Sequence, residues 1–153
     1  MATKKPKKPM PFDFTNLEIR QQTTWVELPE VSPGARVCVR PAAESNSLYY
    51  SNMLKRSAAR ARRMIRTDRV TAEDTSQSRK EDRELFPRYV LCDWEGIVDT
   101  NGKPVTFSPE TSSEFCRALP DWLFDRVRNT AATPERFIDE IDPEPDMEAL
   151  SGN

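Results

Sequence analysis

"SLYYSNMLKRSAARARRMIR", Ser47 to Arg66, is the stretch whose reading decides the fold of this chain. Apolar or small residues recur in it at spacings of three and four, as Tyr50, Met53, Leu54, Ala58, Ala61 and Ile65, which sets them on one face of a helix. The opposite face carries Lys55, Arg56, Arg60, Arg62, Arg63 and Arg66. The pattern predicts a basic amphipathic helix over 46–67. That helix divides the chain, because the residues before it read as strands and those after it as further helices.

Working outward toward the N-terminus, "FDFTNLEIR" at 12–20, "TTWVELP" at 23–29 and "ARVCVRP" at 35–41 alternate and favour β structure, with "SPG" at 32–34 as a turn. They predict a small antiparallel sheet within 12–41. Residues 1–11 hold four lysines and three prolines and cannot bury enough apolar surface to fold, so they read as a disordered basic arm.

Toward the C-terminus, "TDRVTAEDTSQSRK" has almost no large apolar residue and reads as a linker over 68–80. "KEDRELFPRYVLCDW" resumes a helical pattern through Leu85, Tyr89 and Cys92, with Pro87 expected in a first turn or at a kink. Ser108, Pro109 and Glu110 form a helix start: a hydroxyl cap, a proline at the first helical position and an acid at the positive end of the dipole. That helix should run through Phe115 to Leu119. Pro120 restarts another with Trp122, Leu123 and Val127 on one face, and Thr133-Pro134-Glu135 opens a short last helix around Phe137 and Ile138. The acidic, proline-broken stretch 139–153 reads as a disordered tail. The expected fold is a single α+β domain over 12–138, a small N-terminal antiparallel sheet followed by a mainly helical part with a turn or hairpin at 94–107, between disordered charged termini.

Composition narrows the function. With 153 residues, 37% of them hydrophobic, the chain has enough for one modest core. No apolar run approaches the roughly 18 residues needed to cross a bilayer, and no apolar segment follows the first lysines, so a soluble, unexported protein without membrane contact is expected. Cys38, Cys92 and Cys116 lie far apart without paired spacing and read as buried thiols in a reducing cytoplasm. There is no histidine. That removes the commonest general base, the Ser-His and Cys-His nucleophile pairs and the mixed Cys/His zinc sites, so neither catalysis nor a cofactor nor a metal is expected. Charge is divided: residues 1–80 carry 16 Lys and Arg against 8 Asp and Glu, a net of +8, and residues 81–153 carry 7 against 17, a net of −10. The halves should attract each other or attract different partners.

"WEGIVDTNGKPVTFSPE" at 94–110 has the letters of a calcium loop. With its glycine aligned on Gly102, Asp99 and Asn101 fall at ligand positions 3 and 5, but Ile97 falls at position 1 and Ser108 at 12, so both essential carboxylates are missing. Asn101-Gly102 between "IVD" and "VTF" reads instead as a two-residue hairpin turn, with Pro104 confining its segment to an edge. The arginine-dense helix suits a phosphate backbone, but it lacks interleaved aromatics and faces an acidic half of the same chain, so nucleic acid is an unlikely partner. Trp25, Trp94 and Trp122 fit either a core or an interface. The candidate contact residues are Trp94, Trp122 and Phe124 on one side and Arg56, Arg60 and Arg63 on the basic helix.

Three stretches, "VRPAAESNSLYYSNML" from Val39, "YVLCDWEGIVDTNGKPVTFSPE" from Tyr89 and "ALPDWLFDRVRNTAATPERF" from Ala118, together resemble the tail assembly chaperones of long-tailed bacteriophages. The second carries most, in its order of Trp-x-Gly, an Asp-x-x-Gly-x-Pro turn, and an aromatic followed by Ser-Pro-Glu. The resemblance implies a non-catalytic protein of the host bacterial cytoplasm. Such a protein binds the long helical tape measure protein, keeps it soluble, assists polymerisation of the tail-tube protein around it, and is absent from the mature virion. Family members are made in a short and a frameshift-extended form, and the acidic end at 139–153 is short for an extension, which points to the shorter form. Self-association is a further possible contact, and the alternative functions are a virion structural role as tail terminator or connector and a small nucleic-acid-binding regulator using the arginine-rich helix.

Overall fold

The computed structural model describes residues 11–17, 22–67 and 69–138. Residues 1–10 and 139–153 lie outside the described residues, and with them nearly all of the expected basic arm and the whole acidic tail. Strands β1 (Thr24–Glu27) and β2 (Arg36–Val39) come first, then helices α1 (Ser47–Thr67) and α2 (Ala72–Tyr89), strand β3 (Leu91–Glu95), and helices α3 (Pro109–Ala118) and α4 (Asp121–Ala131). Short 3-10 turns occupy Thr15–Leu17 and Pro134–Phe137. The fold is α+β, a small antiparallel sheet followed by helices.

The sheet runs β1-β2-β3, antiparallel throughout, with β2 in the centre. Val37 and Val39 of β2 are fully buried, the signature of a strand covered on its core face. Two expectations at this end of the chain are corrected. The stretch 12–20 is no strand where it is described: the Asp13 carboxylate accepts from the Thr15 N–H at 3.0 Å and its hydroxyl at 2.6 Å, a local bond that draws the backbone into a turn. The third strand comes instead from "LCDWE", which had been read as the continuation of a helix.

The linker expected over 68–80 is also corrected, because most of it is helix α2. Thr71 accepts from the Asp74 N–H at 3.2 Å while Asp74 accepts from the Thr71 N–H at 2.8 Å, a capping box that starts a helix from polar residues. Pro87 sits in the last turn of α2 rather than in a first turn, and the helix stops two residues later.

Ser108 and Pro109 start α3 as the letters indicate, with the Ser108 hydroxyl accepting from the Thr111 N–H at 3.1 Å. The hairpin between β3 and α3 is present, but its loop is one residue longer than the two-residue Asn101-Gly102 turn expected. The Asp99 N–H donates to the Lys103 carbonyl at 2.8 Å around a three-residue loop whose last residue, Gly102, has φ +77°. The Asp99 carboxylate, the one acid at a calcium-ligand position, accepts from the Asn101 and Lys103 N–H groups at 2.8 and 2.9 Å. Pro104 forms a single bridge with Val98, outside the sheet.

The core lies between the sheet and α2, α3 and α4. Tyr49, Phe86 and Phe124 stack edge to face through it at 5.8 and 5.4 Å, each burying about 1.5–3 kcal/mol of apolar surface.

Candidate functional site

Helix α1 lies antiparallel on α2, and beyond the Tyr49–Phe86 ring contact the pairing is ionic. Arg56 pairs with Glu84, Arg60 with Glu81 through two hydrogen bonds of 2.9 and 3.0 Å, and Arg63 with Asp74. The Arg60 and Glu81 side chains are only 16% and 11% exposed, so this rung is largely desolvated. Arg63 holds the Asp74 carboxyl at about 2, well below the ordinary carboxylate value, helped by the Thr71 backbone N–H.

The network continues inward. The Asp82 carboxylate accepts from the Tyr49 hydroxyl at 2.9 Å and from Arg128 of α4 at 2.8 Å. Burial outweighs Arg128 and holds the Asp82 carboxyl above its ordinary value, while burial, with the neighbouring Asp82 charge, pushes the Tyr49 phenol up. Arg79 forks onto Asp125 at 2.8 and 2.9 Å, and Arg83 reaches Asp121 and the carbonyl oxygens of Cys116 and Leu119 at the end of α3. These arginines tie α2 to α3 and α4.

Turning the arginines inward has one consequence for α1. The apolar positions of α1 are split: Leu54 is 48% and Ile65 85% exposed, whereas Met53 is partly buried against the core beside buried Tyr49 on the α2 side. Leu54 and Ile65 are eleven residues apart, which at about 100° per residue aligns them to within roughly 20°, with Ala58 between them. Val70, 68% exposed, follows in the loop. The split has a physical reason. The partner helix α2 is itself acidic along the contact, so charge complementarity decides which side of α1 it takes.

Of the six candidate contact residues, the structure gathers Arg56, Arg60 and Arg63 onto the α2 contact, where each is engaged by an acid. Trp94 is buried, its indole N–H donating to the Val105 carbonyl at 2.7 Å and its ring packed on Phe107 and Phe115. Phe124 is also buried, with the Arg83 guanidinium 4.7 Å from its ring centre. Trp122 alone of the three aromatics stands at the surface, 59% exposed, with Arg126 5.7 Å from its ring centre. The exposed pair Leu54 and Ile65 was missed as a surface. Its signal was the string of acids at Asp74, Glu81 and Glu84, spaced to meet the arginines of α1.

A cavity of about 370 Å³ opens between α1, α2 and α4 beside Met53, Arg60, Val70, Asp74 and Arg128. Its charged groups are the ion-paired ones already described. Among the described residues no group of three or more Cys, Asp or Glu is placed to hold a metal ion, and no helix is long and apolar enough to cross a membrane. Burial pushes the Cys116 thiol, and that of half-buried Cys92, up to about 12.

The helix hairpin, β3, the 98–104 turn and the two last helices all fall within residues 45–144, the stretch matched by the model of the YdaY prophage protein family. The chain belongs to that family. It is a phage-derived protein, and the match takes in α1 with its outward stripe but neither β1 nor β2. No curated protein and no solved structure matches this YdaY prophage protein.

Proposed function

We propose that this YdaY prophage protein is a non-catalytic tail assembly chaperone of the host cytoplasm. It binds the tape measure protein, assists tail-tube polymerisation around it, and is left out of the finished particle. The observation that carries the reading is the apolar stripe of α1, covered by no described residue, while Arg56, Arg60 and Arg63 on the other side of the helix are neutralised by acids of α2. A tape measure protein is a long helical chain whose apolar stripes stay exposed until the tube closes around them. A helix of 21 residues, about 32 Å long, matches a segment of such a stripe by side-by-side packing. The three stretches that resemble the phage chaperones include the first turns of α1. A non-catalytic role suits the same inventory, since the carboxylates between α1, α2 and α4 are engaged by arginine and the chain has no histidine.

Co-expression with the tape measure protein of the same phage genome is the test. The client should be recovered soluble with the wild-type chain and lost to the pellet with Leu54→Glu/Ile65→Glu, a variant expected to remain folded because both side chains already face water. A client equally insoluble with and without the wild-type protein sinks the reading. Stoichiometric presence of the protein in purified particles replaces it with a virion structural role.

A further inference from the structure

We infer that the acidic segment 139–153 of this chain docks on the outer face of α1 and covers Leu54 and Ile65. The stripe is bordered along one flank by Lys55, Arg62 and Arg66, at steps of seven and four that keep them in one row on a helix. All three are exposed, and none makes an ion pair with a described residue, in contrast to Arg56, Arg60 and Arg63 on the other side. The occupant should therefore be apolar and acidic at once.

A second copy of α1 fits poorly, since antiparallel pairing through the stripe brings two such rows of cations together. Residues 139–153, "DEIDPEPDMEALSGN", fit on both counts: six Asp and Glu, no Lys or Arg, and Ile141, Met147 and Leu150 among them. Reach is sufficient. The Ala131 carbonyl at the end of α4 accepts from the Ala42 N–H at 2.8 Å, five residues before α1 begins, and the described chain then runs through the turn at Pro134–Phe137, where Arg136 donates to the Trp25 carbonyl at 3.2 Å, to its end at Ile138. Fifteen residues extend to about 50 Å, longer than the roughly 32 Å of α1. The Lys-rich arm 1–8 competes for the segment on charge alone, but it presents no apolar stripe. The docked segment blocks the stripe for any other ligand, so it acts as an internal competitor whatever that ligand is, and this inference holds apart from the tape measure reading.

Zero-length carbodiimide coupling of lysine to carboxylate tests it on the full chain, at low salt and at protein concentrations where the monomer is isolated. Lys55 should couple to Glu144, Asp146 or Glu148 within the monomer, with a yield falling several-fold at 1 M salt, where the screening length is about 3 Å. A full-length variant with all six acids of 139–153 changed to Asn or Gln should shift the Ile65 methyl resonance. Coupling of the segment only to Lys4, Lys5, Lys7 or Lys8, or Lys55 coupling confined to the dimer band, overturns the inference. So does an Ile65 resonance unmoved by the charge change.

Discussion

Replacing Arg60 by alanine and replacing Ile65 by lysine are, on hydrophobic patterning, a mild and a severe change; the structure reverses their order. Ile65 is 85% exposed, so only about 15% of its surface is removed from water, and Ile65→Lys gives up no more than about 0.4 kcal/mol. Arg60→Ala removes both hydrogen bonds from a Glu81 side chain that is 11% exposed. Breaking a fully buried pair from one side costs about 3–5 kcal/mol and a surface pair under about 1. The Arg60 rung, largely but not fully buried, falls between these limits, which places the loss at about 2 kcal/mol. For a chain of this length that is a fall of roughly 4–8 °C in Tm. Thermal and urea unfolding followed by circular dichroism at neutral pH and low salt reads both variants, and Arg60→Ala/Glu81→Ala should recover part of the loss, since no carboxylate is left stranded. The reasoning is refuted if Ile65→Lys costs as much as Arg60→Ala, for then the apolar stripe is the packed face.

Two further outcomes follow from local geometry. Gly96 has φ +70°, and a Cβ there would lie 2.6 Å from the Gly34 carbonyl oxygen, which is backbone and cannot step aside; Gly96→Ala should cost more than about 2 kcal/mol in urea unfolding, against about 1 for Gly102→Ala, which meets nothing within 4 Å. Asp74 titrates at about 2 in the folded chain against 3.8 ordinarily, so its contribution to stability is complete above pH 3.8 and is lost as pH falls toward 2; wild-type stability should drop more steeply across that window than that of Asp74→Asn.

The extent of α1 was legible in its spacing, and the starts of α3 and α4 in Ser108-Pro109 and Pro120, because caps act within one turn of the residues that encode them. The face of α1 was not. Periodicity reports which residues share a side, and only the partner decides which side is buried. Here the partner helix begins inside the stretch set aside as a linker, although Thr71-x-x-Asp74 and the absence of glycine or proline from 72 to 86 marked a helix start. Strand β3 was hidden for a similar reason. Leu91 to Glu95 pair with Arg36 to Val39, more than fifty residues earlier, and no local pattern carries that information. For the candidate contact residues the letters gave chemistry without exposure: Trp122 stands at the surface, while Trp94 and Phe124 are enclosed.

An α1–α2 contact made of ion pairs has its own sensitivity to solvent. Beyond buried Tyr49 and Met53, opening the Arg56–Arg63 part of the contact frees little apolar area, so fraying of that part of α1 changes the heat capacity and the urea dependence only slightly, and urea reports chiefly on the core beneath. Added electrolyte acts in the opposite way, weakening the exposed Arg56–Glu84 rung before the enclosed Arg60–Glu81 one. The ion-paired C-terminal half of α1 is thus a segment whose amide exchange is set by ionic strength while that of the sheet is not.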